Sequence, residues 1–145
     1  MIKKVFIFLA GFLFSCNNRE SGNVSTQDSI NIFSSVLSSK SFLKGNILYG
    51  DSLHFIKSKY YIKSFPESST YFKLFYIENT DENRELNFSG KTFDKRNRYE
   101  ITKFIVESDS ASIGLYNPGV RESYIYKLKK EQNIWKITKE EALID

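Results

Sequence analysis

The chain is poor in the residues that build reactive sites. Its 145 residues include one cysteine, one histidine and two prolines. The single cysteine, Cys16, has no second thiol to pair with inside the chain, so the fold must stand on its hydrophobic core. The single histidine, His54, cannot supply a His-based metal site alone, and no other histidine is left to serve as a base. Its neighbours Leu53 and Phe55 make it a partly buried residue. The seven glycines are scattered, and no phosphate loop or dinucleotide fingerprint occurs. Charge of one sign is also scarce. Lys3 and Lys4 belong to the 21 basic side chains, and setting them aside leaves 19 against 17 acidic ones. Such a balance, without a dense basic stripe, excludes nucleic acid as the expected partner. Lys127, Lys129 and Lys130 cluster, but as a solvated face of a strand and turn. No apolar run approaches the roughly 20 residues that a membrane-crossing helix needs.

What the chain does have is a short apolar run at its start. Lys3 and Lys4 precede ten mostly apolar residues, 5–14, followed by the small Ser15 and then Cys16. That is the anatomy of an export signal. Leu13-Phe14-Ser15-Cys16 resembles the lipobox of bacterial lipoproteins. The resemblance covers residues 1–16 and implies cleavage before Cys16, a diacylglycerol on its sulfur and acylation of the new amino group. It also implies a place in the bacterial cell envelope, lipid-anchored to a membrane, outer or periplasm-facing. Two or three acyl chains make a lasting anchor where one is marginal.

The expected organisation is a cleaved signal peptide over 1–15, a flexible tether over 16–26 and a single domain over 27–145. The tether is polar and lacks residues to pack. A helix is expected over about 27–43, with Ile30, Phe33, Val36 and Leu37 on one side and Ser25 with Asp28 as a capping box. From Ile47 onward the pattern is mostly β: segments 59–65, 70–78, 85–93, 98–107, 111–116 and 123–129, then a return through Ile134-Trp135-Lys136-Ile137. Asn117-Pro118-Gly119 and Glu131-Gln132-Asn133 are the turn signals. One helical region followed by about six strands predicts an α+β fold, an N-terminal helix packed on a curved antiparallel sheet. The tyrosine-rich strand and Asn-Ile-Trp-Lys-Ile hairpin also resemble the end of nuclear-transport-factor-2-like (cystatin-like cone) domains, over roughly the last 25 residues. That resemblance implies a pocket between helix and concave sheet.

The candidates for chemistry are few. Gly50-Asp51-Ser52-Leu53 spells the nucleophile block of GDSL esterases, but the histidine such enzymes carry near the C-terminus is missing, so a Gly-Asp turn is the better reading. Asp81-Glu82-Asn83 lacks calcium-loop spacing. Glu107 and Asp109 stand at a strand end, where solvation explains them. Tyr60, Tyr61, Tyr71 and Tyr99 offer either a binding surface or cross-strand pairs. The reading that remains has no catalytic, cofactor-binding or metal residues and a single modified position, lipidation at Cys16. It is a membrane-anchored lipoprotein with a small non-catalytic domain for an unknown protein or small-molecule partner. The alternatives are a cone-fold enzyme using pocket carboxylates and tyrosines, or an inhibitor or immunity-type lipoprotein acting through a sheet edge.

Overall fold

The computed structural model describes residues 24–46, 50–84 and 97–144. Cys16, the leader and the strand expected over 85–93 lie outside the described residues.

Helix α1 spans Thr26–Leu37 and helix α2 spans Lys40–Asn46. Ser25 caps α1: its Oγ accepts a hydrogen bond from the Asp28 amide at 3.0 Å, satisfying one of the donors a helix start leaves open. Ser29, Ile32, Phe33, Val36 and Leu37 form the buried stripe at three- and four-residue spacing. Ile30 sits at its edge, half-buried. The continuous helix expected over 27–43 is divided by Ser38 and Ser39. The Ser39 amide bonds back to Val36 O, while its Oγ accepts from the Phe42 amide at 3.3 Å. A serine that can cap a new helix competes with continuing the old one.

Six strands follow: β1 (Ser52–Ile56), β2 (Lys73–Ile77), β3 (Arg98–Val106), β4 (Ser110–Asn117), β5 (Glu122–Glu131) and β6 (Ile134–Ile144), with a one-turn helix, α3 (Asp81–Arg84), after β2. Their order in the sheet is β2-β1-β3-β4-β5-β6. The architecture is α+β, but the sheet is mixed rather than antiparallel. β3 to β6 form an antiparallel meander, whereas β1 runs parallel to both β2 and β3. For the β1–β2 pair the cause is the connection over 57–72. Segment 59–65, expected as a strand, is a run of turns. Tyr60, Tyr61, Ile62 and Phe65 tuck against the core, and the chain returns to start β2 in the direction of β1. A parallel neighbour requires a return of about that length. The outer edge of β2 is partly covered by the same segment: the Leu74 amide bonds Glu67 O at 2.9 Å, and Tyr76 Oη donates to Pro66 O at 2.7 Å.

Two irregularities set which side chains face where. The β3–β4 register skips Thr102, and the β5–β6 register skips Thr138. Each is an extra residue in one strand, a bulge that resets the alternation. The bulge at Thr102 puts Ile101, Phe104 and Val106 on the helix-covered face, with Lys103 and Ile105 on the other. Gly114 makes room for it. A Cβ there would lie 2.7 Å from Thr102 Oγ1 and 3.0 Å from Lys103 Cβ. At the β5–β6 turn, Gln132 and Asn133 both take left-handed φ, 49° and 64°, the twist that two-residue hairpins favour. In the β4–β5 turn the left-handed residue is Arg121 (φ 58°), while the Gly119 amide bonds Asn117 Oδ1 at 2.8 Å.

The space between helices and sheet is filled by rings. Phe33 packs on Phe65 at 4.4 Å and on Phe55 at 5.7 Å, and Phe65 meets Phe104 edge-on at 5.0 Å. Under α2, Phe42 lies 5.3 Å from Tyr99.

Candidate functional site

On the inner, helix-covered face the polar groups are tied down. Tyr99 Oη donates to Asn46 Oδ1 at 2.6 Å, and Asn46 Nδ2 donates to Phe42 O at 2.9 Å, closing the end of α2 onto β3. Tyr124 donates to Glu122, two residues back on the same strand. Burial pushes the Tyr126 hydroxyl up to about 12 and raises Tyr76 and Tyr124 as well. These phenols stay neutral, and Tyr76 and Tyr124 serve as donors. Tyr99 is buried and Tyr60 and Tyr61 are half-buried against the core, so of the four tyrosines considered as a binding surface only Tyr71 is largely exposed.

The outer face is built differently. Between the two bulges lies a groove of about 380 Å³, lined by Lys103, Glu107, Ser112, Lys127, Lys129 and Thr138 among others. Three cross-strand rows make its floor and rim: Glu107–Ser110–Lys129–Lys136, Ile105–Ser112–Lys127–Lys139 and Lys103–Gly114–Ile125–Glu141. They bring together five lysines and two glutamates. The Ser112 Oγ is buried in the middle row and has no hydrogen-bond partner among the described residues. Thr138 Oγ1 donates to Lys127 O at 3.2 Å, fixing the bulge at the rim. Beside the groove, Lys136 holds the Glu131 carboxyl below its ordinary value and Lys139 does so for Glu141, with Lys129 and Lys127 adding to the respective effects. The arrangement offers ammonium groups and a hydroxyl on a concave floor. With Glu107 in the same lining and Lys136 and Lys139 paired to Glu131 and Glu141, the surface is net positive through Lys103, Lys127 and Lys129.

The lysine cluster expected as one solvated face is therefore split. Lys127 and Lys129 share the outer face at period two. Lys130 lies on the inner side, where its Nζ donates to Asp28 Oδ1 at 2.9 Å. Trp135 Nε1 donates to the same oxygen at 2.8 Å. The Lys130 ammonium first, and the Trp135 N–H second, hold the Asp28 carboxyl below its usual range.

The other sequence candidates are dispersed. Ser52 Oγ donates to Asp51 Oδ1 at 3.0 Å, and His54 stacks on Phe75 at 5.3 Å. Asp81 and Asn83 lie in α3, where Asn83 Nδ2 donates to Glu78 O at 2.8 Å. Glu107 accepts from Ser110 Oγ at 3.2 Å at the β3–β4 turn. No group of three or more His, Cys, Asp or Glu able to hold a metal occurs among the described residues. A second open region at the β2 edge, about 450 Å³, carries Lys57, Lys73 and Glu67 in mixed sign; Lys57 is already paired with Glu78 at 2.5 Å. Sequence reasoning missed Lys103, Ser112 and Thr138 as groove residues, because two bulges bring them together. Compared with known proteins, the chain matches no protein-family model, no curated protein and no solved structure.

Proposed function

We propose that the chain is a membrane-anchored lipoprotein of the bacterial envelope, held by acyl chains on Cys16 and displaying a small non-catalytic binding domain. The outer-face groove is its binding surface, and the groups it receives are anionic. One observation carries the binding half of this reading: the inner layer, where a cone-shaped fold would keep a pocket, is occupied by Phe33, Phe55, Phe65 and Phe104, while the cationic groove on the opposite face is open. The anchor half is supported by the signal anatomy of residues 1–16.

Cell fractionation with a fatty-acid label tests the anchor. The wild-type protein takes up label and sediments with membranes, and Cys16→Ala does neither. A wild-type protein free of label, with its leader intact, would sink this half. Titration of the full chain with a polyvalent anion tests the groove, with Lys127→Glu as the control that removes binding.

β6 supports a second reading, partner capture by strand addition, because it ends the sheet and pairs with β5 alone among the described residues. Lys139, Glu140 and Glu141 along that strand oppose it, since edge charges discourage strand addition. The groove is the stronger candidate.

A further inference from the structure

We infer that the groove seats the phosphates of anionic phospholipid headgroups, so that the domain lies against the membrane that carries its anchor. This rests on the lipoprotein reading and adds a specific ligand and an orientation to it.

The argument begins with where the chain enters the fold. Asp28, in the first turn of α1, is bonded to Lys130 and Trp135 at the β5–β6 turn. The Lys130 amide bonds Asp109 O in the β3–β4 turn at 2.8 Å. The start of α1 and these two turns therefore share one end of the sheet. The groove opens at that same end: Glu107 and Ser110 belong to the β3–β4 turn, and Lys129 is the residue next to Lys130. From Cys16 to Val24 the chain has eight peptide steps, which reach at most about 30 Å. A groove at that end stays close to the headgroups throughout. A second binding event on a short tether is effectively intramolecular, so weak contacts suffice.

Chemistry completes the match. A phosphodiester needs several N–H or O–H donors around a negative charge. Lys103, Lys127 and Lys129 supply ammonium groups, against the single carboxylate of Glu107 in the same lining. Two exposed apolar side chains flank this end, Ile105 at 46% and Ile134 at 60% exposure. Lysines over isoleucines suit the boundary between headgroups and acyl chains. The β2 edge is more evenly mixed, with Lys57 and Lys73 beside Glu67, and Lys57 is paired with Glu78, against three lysines and Glu107 in the groove.

Amine footprinting of the full acylated protein tests this. The protein is reconstituted in vesicles of phosphatidylcholine alone or with added phosphatidylglycerol, treated with an amine-reactive reagent and read by mass spectrometry. Lys103, Lys127 and Lys129 should label about fivefold more slowly in the anionic vesicles. Lys44 and Lys63, exposed elsewhere, should not change. High salt should remove the protection, and so should the double variant Lys127→Glu with Lys129→Glu, whose circular dichroism should match the wild type. Equal labelling in both vesicles overturns the inference and leaves the anchor intact. Protection by glycerol phosphate in neutral vesicles overturns it in favour of a soluble anion, and protection by an added anionic polymer but not by lipid overturns it in favour of that partner. An intact mass without acyl groups overturns the anchor and the inference together.

Discussion

The two faces of the sheet come from the same strands and do opposite things. The inner face carries Phe55, Tyr99, Ile101, Ile113, Leu115, Tyr126, Leu128 and Trp135, nearly all sealed from solvent. The outer face, over β3 to β6, carries lysines and glutamates with serine, glycine and two isoleucines, Ile105 and Ile125. The difference teaches that the faces are not independent. Thr102 and Thr138, each one residue too many for its partner strand, decide where the inner pattern resumes and what the outer face presents. Moving either bulge would swap lysines for core residues.

The comparison is broken most directly from the inner side. Phe33→Ala removes a ring that touches Phe55, Phe65 and Phe104 and should cost about 3–5 kcal/mol in urea unfolding. A cost below about 1 kcal/mol would mean that the layer is not close-packed. Gly114→Ala acts on both faces at once, through its clash with the Thr102 bulge. It should cost about 1–3 kcal/mol. Combining it with Thr102→Gly should recover part of that loss, a non-additivity that separates a local clash from a general weakening.

Asp28 sharpens the comparison at the rim where the faces meet. Its carboxyl is depressed by Lys130 and Trp135. Its contribution is therefore complete above the unfolded value of about 3.9 and is lost as pH falls through the lower folded value. Asp28→Asn should cost about 1–2 kcal/mol near neutrality. The two proteins should converge in stability in acid; a constant gap down to the acid limb would contradict the ion pair. The smallest stability effect belongs to the outer face. Lys127→Glu should change stability by no more than about 0.5 kcal/mol while abolishing anion binding. If it unfolds the protein, the lysine is structural and the contrast between faces fails.

Much of this was legible. Period-two alternation marked β5 and β6, and Trp135 and Ile137 do share the inner face. The fold class followed from one helical region leading a run of strands. Three things were not legible. The break between α1 and α2 depends on Ser39 finding a helix to cap, which propensity alone cannot rank against continuation. The parallel pairing of β1 depends on the 57–72 segment, whose tyrosines and isoleucine look like a strand because they are buried like one. The groove depends on two bulges, and a bulge is invisible until two strands are laid side by side. Lys127 and Lys129 were visible as neighbours on one face, but Lys103 joins them only once β3, β4 and β5 are aligned and Thr102 is skipped.

The long return between β1 and β2 also has a kinetic consequence. The meander from β3 to β6 closes through short turns, so each pairing begins from residues already near one another. β2 finds its place only after a loop of more than a dozen residues has looped back and buried its rings. The sheet should then assemble from its C-terminal side, with the parallel edge arriving last and, under stress, leaving first. Amide exchange resolved strand by strand would read that order directly.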